Sequence, residues 1–238
     1  MGVDLAQLVQ TLVDRATPEP GSGRLRLPTE RDLTTSLEIS RGTLREHLST
    51  LEMLGFVDRT QGRGSYLQIP DASFLRIYFD LSTQLGHLSH DQLDAARVIL
   101  EVAIAESAAR LATADDIDGL RGLVDEMVAA SGSGHDARAH DAHLEFHRRL
   151  YRIADNPIFT MLHDGLSHVL RDKIVNRRRL AAERAPLAPG RTRITDTVHH
   201  GIVDALDARD GEQARAAVRR HFDVWSDLVG GIGPDRAT

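Results

Sequence analysis

The sequence predicts a mainly α fold in two parts: an N-terminal helix-turn-helix closed by a β-hairpin, then an all-α antiparallel bundle. Three observations carry this. The clearest β-like runs, FVDRT and SYLQI, lie close together on either side of the glycine-rich QGRG, as a hairpin requires. Beyond residue 72 apolar residues recur with helical period and no convincing strand appears. Pro70 and Asp71 fall between the two patterns, which divides the chain into residues 1–70 and 71–238.

Leu5, Leu8, Val9 and Leu12 form the first helical stripe, ending near Arg15. The run TPEPGSGRLRLP, rich in Gly and Pro, cannot continue it. Thr29 reads as an N-cap, with Asp32 approximating a capping box, for a short helix that buries Leu33 and Leu37. Ser40 caps the next helix, RGTLREHLSTLEML, which stops at Gly55. At 100° per residue Leu44, Leu48 and Leu51 face inward. Gly42, Arg45 and Ser49 point the opposite way, with Thr43 on the flank and Arg41 at the N-terminus. A helix-turn-helix followed by a hairpin is a winged helix, whose second helix enters the DNA major groove.

Seven periodic segments follow, at 72–87, 90–113, 115–131, 136–155, 157–182, 191–209 and 211–230. Asn156 before Pro157 is a cap-plus-N1 start, and APLAPG interrupts the chain at 185–190. Helices joined by short loops imply an antiparallel bundle with any ligand site in its core.

Composition narrows the chemistry. Hydrophobic residues make up 41% of 238 but aromatics only 4%, so the cores are built mostly from Leu, Ala, Val and Ile. There is no cysteine, which excludes disulfides and thiolate sites and leaves histidine and carboxylate as the strong ligands. No apolar run approaches the ~18 residues of a membrane span, and MGVDLAQLVQTLVD lacks a positive n-region. A cytoplasmic protein with no membrane partner is expected. The net charge of −6 argues against a generic nucleic-acid binder, so a DNA surface must come from arrangement. Lys173 is the only lysine, and arginine favours bidentate contacts to phosphate and guanine.

Eleven of the twelve histidines lie beyond residue 80. In AHDAHLEFHRRLY, His143 and His147 share the stripe of Leu144, Leu150 and Tyr151. His199 precedes Ile202 by three, and His221 lies in the stripe of Val218, Trp225 and Leu228. Histidines from three helical segments thus point toward the apolar interior. One buried histidine is ordinarily a hydrogen-bonded core residue. Several without a common partner would cost about 1–3 kcal/mol for each unsatisfied group. HLEFH is not a zincin motif, because Leu144 rather than Glu follows the first His and Glu145 lies about 200° around the helix. No G-x-S-x-G, phosphate loop or nucleophilic cysteine accompanies it, so an enzyme is not expected.

LPTERDL, ISRGTLREHLSTLEMLGFVDR and QGRGSYL closely resemble the DNA-binding domain of GntR-type bacterial transcription regulators. The resemblance implies that Arg31, Arg41, Thr43 and Arg45 contact DNA and that Gly64 lies at the wing tip in the minor groove. The connector EPGSGRLR departs from the family's short lead into LP. ARVILEVAIAESAARLA, HLEFHRRLYRIADNPIF and HHGIVDALDARDGEQARAAVRRHF resemble the FCD ligand-binding domain of the FadR subfamily. Many members bind a divalent metal, often zinc, through an Asp-x-x-x-His pair and two further histidines. Those positions fall on His143, His147, His199 and His221, with His143 in place of the usual Asp. Imidazole suits zinc first, with nickel or copper as options. Arg97, in RVILE, matches an FCD position that would hold an effector carboxylate; it could equally pair with Glu101 at i+4.

The resemblance implies a homodimeric regulator that binds palindromic operator DNA and responds to a small organic acid at the metal. Two alternatives stay open: a metal-free regulator with a larger ligand such as an acyl thioester, and a metalloenzyme fused to a DNA-binding module.

Overall fold

The computed structural model describes residues 4–60, 64–184 and 191–229. It divides into two compact units, Met1–Tyr78 and Phe79–Thr238.

In the first unit α1 (Leu5–Arg15) precedes strands β1 (Thr17–Pro18) and β2 (Leu25–Arg26). Helices α2 (Glu30–Leu37) and α3 (Arg41–Met53) follow, then the hairpin β3 (Val57–Thr60) and β4 (Gly64–Leu67). Thr29 and Ser40 cap α2 and α3 by accepting from the Asp32 and Thr43 amides, as their sequence positions predict. Leu8, Leu12, Leu33, Leu44, Leu48, Leu51 and Val57 form the unit's core.

The Gly/Pro-rich connector, which cannot continue α1, forms the short strands β1 and β2, giving an antiparallel sheet in the order β1-β2-β4-β3. Tyr66 supplies the reason. Its buried ring stacks under the Arg24 guanidinium at 4.0 Å, and its hydroxyl donates to Glu19 at 2.7 Å. Arg24 also pairs with Asp58 on β3. Side chains distant in sequence thus hold two very short strands.

Helix α4 spans Ser73–Gln84. The second unit continues with α5 (His90–Leu111), α6 (Ala114–Gly132), α7 (Asp136–Ile153), α8 (Pro157–Val169) and α9 (Arg171–Arg184). After residues 185–190, the APLAPG run, which lie outside the described residues, come α10 (Ile194–Thr197), α11 (His200–Asp207) and α12 (Gly211–Val229). Capping boxes at Ser89/Gln92 and Thr113/Asp116 start α5 and α6, and Asn156 caps α8. Residues from α5, α6, α7, α11 and α12, including Ile104, Leu120, Met127, Phe146, Leu150, Val203 and Val218, share one core.

Two predicted helices are each divided. The segment 157–182 bends at Leu170, which is fully buried with ψ 0°, where Leu166, Leu170 and Ile174 pack around Leu93. The segment 191–209 breaks at Val198–His199, where a side-chain hydrogen bond to the backbone joins the short helices α10 and α11.

Candidate functional site

The bundle's interior holds a polar centre. His143 and His147, one turn apart on α7, meet His199 from the α10–α11 junction and His221 from α12. One ring nitrogen from each falls within 4.8 Å of the others, and all four side chains are buried. The rings contact one another edgewise or tilted, with centroids 4.5–5.7 Å apart. The four histidines singled out from the sequence are therefore together in space.

Two of these rings are held from behind. His199 Nδ1 lies 2.9 Å from the Asp196 carbonyl, which fixes the proton on Nδ1 and leaves Nε2 without a partner. His147 Nδ1 lies 2.7 Å from Oε2 of Glu101 on α5, although the ring is tilted out of line for a full hydrogen bond. Both nitrogens of His143, Nε2 of His147 and Nδ1 of His221 are buried with no hydrogen-bond partner among the described residues. Burial, followed by repulsion from the neighbouring rings, holds His143 and His221 well below the usual imidazole range. The same leading cause puts His199 at about 3. Unpartnered imidazole nitrogens in a buried centre, with His143, His199 and His221 pushed toward the neutral form, fit a divalent cation, and without cysteine the donor set is nitrogen throughout.

Arg97 is buried beside this centre. It pairs with Asp94 at 2.9 Å and Glu101 at 3.6 Å, and its guanidinium lies 5.1 Å from the Phe222 ring centroid. It also borders a cavity of about 10 Å³, shared with His143, Ile174, Arg177, His221 and Trp225. A far larger cavity, about 990 Å³, is walled by residues that include His140, Arg178, Arg193, Thr195 and Trp225, but by none of the four histidines. Trp225 borders both. Sequence reasoning passed over His140, whose two ring nitrogens are buried without a partner, and Asp196, which pairs with Arg178 at 2.9 Å. Glu101 entered only as an alternative mate for Arg97. A histidine one turn before His143 and an acid on an otherwise apolar stretch were the available signals.

In the first unit Arg31, Arg41 and Arg45 are exposed and Thr43 is half-buried. Arg45 donates through Nε to Glu30 at 3.0 Å, and Arg59 of β3 reaches the other Glu30 oxygen at 3.1 Å. Glu30, absent from the sequence reading, thereby joins the start of α2 to α3 and the hairpin. Arg31 and Arg41 have no ion-pair partner among the described residues. Gly64, at φ +111°, pairs with Thr60 where the hairpin meets residues 61–63, which lie outside the described residues. A Cβ there would come within 3.2 Å of Arg26 Nε.

A winged helix-turn-helix unit joined to a helical unit with an interior polar centre defines a DNA-binding regulator with a ligand-binding domain. The chain belongs to the GntR family of bacterial regulatory proteins: that family's pattern matches residues 4–67, and the FCD domain matches residues 92–224. It is 28% identical over 210 residues to the HTH-type transcriptional regulator LutR of Bacillus subtilis, covering 87% of this chain and 92% of LutR. It is 26% identical over 211 residues to the transcriptional repressor NanR of Cronobacter sakazakii, covering 85% of this chain and 77% of NanR. The fold is that of a GntR protein of Streptococcus agalactiae, with a TM-score of 0.64 at 21% identity over 94% of this chain and 97% of that one. The chain is thus a DNA-binding transcriptional regulator with an FCD effector domain. No helix among the described residues is long and apolar enough to cross a membrane.

Proposed function

We propose that His143, His147, His199 and His221 bind one divalent metal ion, zinc foremost, and that a small organic acid bound there controls operator affinity. The observation that carries this is the convergence of four buried imidazoles whose open nitrogens lie within 4.8 Å of one another. When bound, a divalent ion supplies a fixed positive charge that a carboxylate can coordinate. Nitrogen donors on a tetrahedral ion stand roughly 3.4 Å apart, so small ring rotations complete the site. Arg97, on the wall of the small cavity with His143 and His221, faces the carboxylate. That cavity is too small for an organic acid, so entry requires Trp225 or its neighbours to move. Movement of Trp225 would carry the signal into α12, provided the ligand favours one arrangement of the regulator over another.

Residues 1–70 form the DNA-binding part and residues 71–238 the effector part. Arg31, Arg41, Thr43 and Arg45 contact an operator in the bacterial cytoplasm, with Gly64 at the minor-groove wing. A homodimer matches a palindromic site. Exposed apolar side chains about one turn apart at the start of α4, Phe74 and Ile77, support such pairing. The acyl-thioester reading without metal draws support from the 990 Å³ cavity, which would accept a bulkier anion. Metal analysis of purified protein decides between them: about one zinc or nickel per chain, with operator binding in a gel shift that changes on adding an organic acid, is the expected result. A metal-free protein that gains no thermal stability from added Zn²⁺ or Ni²⁺ rejects the metal centre.

A further inference from the structure

The least expected group in the bundle is Glu101. It sits mid-way along α5 at 1% side-chain exposure. A carboxylate there loses its hydration and must be compensated by a charged neighbour. Arg97 is a poor match: at 3.6 Å it is a loose partner, and it makes the shorter contact to Asp94. Arg N-terminal to Glu is also the weaker order for an i,i+4 pair. The nearest polar group to Glu101 from another helix is instead His147 Nδ1, at 2.7 Å.

We propose that Glu101 is a positioning residue of the metal centre, holding the proton on His147 Nδ1 so that Nε2 faces the shared site, and providing a negative charge directly behind that ring. The proposal rests on the metal reading above. His199 gives independent support, since its Nδ1 is engaged by the Asp196 carbonyl while its Nε2 stays open. Two of the four rings thus have an oxygen against Nδ1 from outside, the Asp196 carbonyl in a hydrogen bond and Glu101 Oε2 in a tilted contact. A carboxylate behind a ligating imidazole fixes its tautomer and makes it a more basic donor. It also answers a question of charge. With four neutral imidazoles a divalent ion would keep its full +2, because His143 stands where the family uses Asp. Glu101 returns one negative charge to the site from behind a ring rather than in contact with the ion. The ion's own position stays open to an anionic ligand.

The test uses the full chain, stripped with a chelator and titrated with Zn²⁺ against a competing chelator, and with Co²⁺ followed by its visible spectrum. Glu101→Gln keeps shape and removes charge. Its Zn²⁺ affinity is expected to fall about 10–100-fold with an altered Co²⁺ spectrum, while the metal-free thermal midpoint stays near wild type. In a His147→Ala background the same change is expected to cost less than about threefold, because Glu101 acts through that ring. Wild-type affinity in Glu101→Gln overturns the proposal, as does an equal loss in both backgrounds. Failure of the Gln variant to fold without metal also overturns it, by showing that the carboxylate is structural. Wild-type protein that binds neither ion overturns the metal centre itself, a result distinct from all of these.

Discussion

His143 stands where the resemblance to the FCD domain implies an Asp, and its effect can be read at the level of one side chain. An Asp at that position would lower the charge in direct contact with a bound ion, and an imidazole does not. Attraction to an anion grows with each unit of charge, more so where the effective dielectric is well below that of water. His143→Asp is therefore expected to retain the metal and to bind carboxylates more weakly. Calorimetric titration of both proteins with a panel of organic acids, at matched metal occupancy, checks this. Equal or tighter binding by the Asp variant would refute the charge argument.

Arg45 carries the second prediction at this scale. Its side chain is 65% exposed, and Glu30 engages it through Nε, which leaves the terminal nitrogens available for a bidentate contact to guanine. Arg45→Ala is expected to lose about 1–3 kcal/mol of specific operator binding while the fold is retained. A gel shift with operator and scrambled duplexes, alongside circular dichroism, measures both. Unchanged affinity and base preference would remove Arg45 from the reading residues.

Among the elements, α6 shows how the bundle is tied together. Leu120 is fully exluded from solvent and packs in the core shared by α5, α6, α7, α11 and α12. Leu120→Ala is expected to destabilise the bundle by about 2–5 kcal/mol, through lost burial and the cavity left behind. Denaturant unfolding followed by circular dichroism reads the cost, and a loss below about 1 kcal/mol would mean that the site collapses around the smaller side chain. Three starts were legible because caps are local: Thr29, Ser40 and Asn156 each accept a hydrogen bond from an amide two or three residues ahead. The bend at Leu170 was not legible, because no Gly or Pro marks it and contacts around Leu93 stabilise it.

At the scale of the whole molecule, pH and metal provide the tests. His163 is buried against Tyr151, and burial lowers it to about 4. Between that value and ~6.5 the unfolded chain takes up a proton that the folded chain refuses. Stability from this group is therefore fully present above ~6.5 and declines by ~1.4 kcal/mol per pH unit as pH falls toward 4. The thermal midpoint is expected to drop between pH 7 and 5, with a shallower drop in His163→Gln; parallel profiles would exclude His163 as a cause. Removing a bound metal is expected to lower the midpoint at constant pH, because an ion that binds only the folded state stabilises it by mass action.

The sequence by itself determined what depends on neighbours along the chain. Caps, the inward stripe of Leu44, Leu48 and Leu51, the hairpin, and the two histidines a turn apart on α7 all follow from spacing. Convergence of the four histidines was expected from the faces they occupy, since a ring on an apolar stripe must enter the core. Tertiary structure alone decided which groups meet across elements. It brought Glu101 of α5 to His147, Glu30 to both Arg45 and Arg59, and Tyr66 to the connector strands. It also put Trp225 between a water-sized cavity beside the histidines and a large one beyond them. The reason is physical: helical period fixes the direction of a side chain from its own axis, whereas its partner depends on how separate helices pack, and that is set by the shape of the whole core.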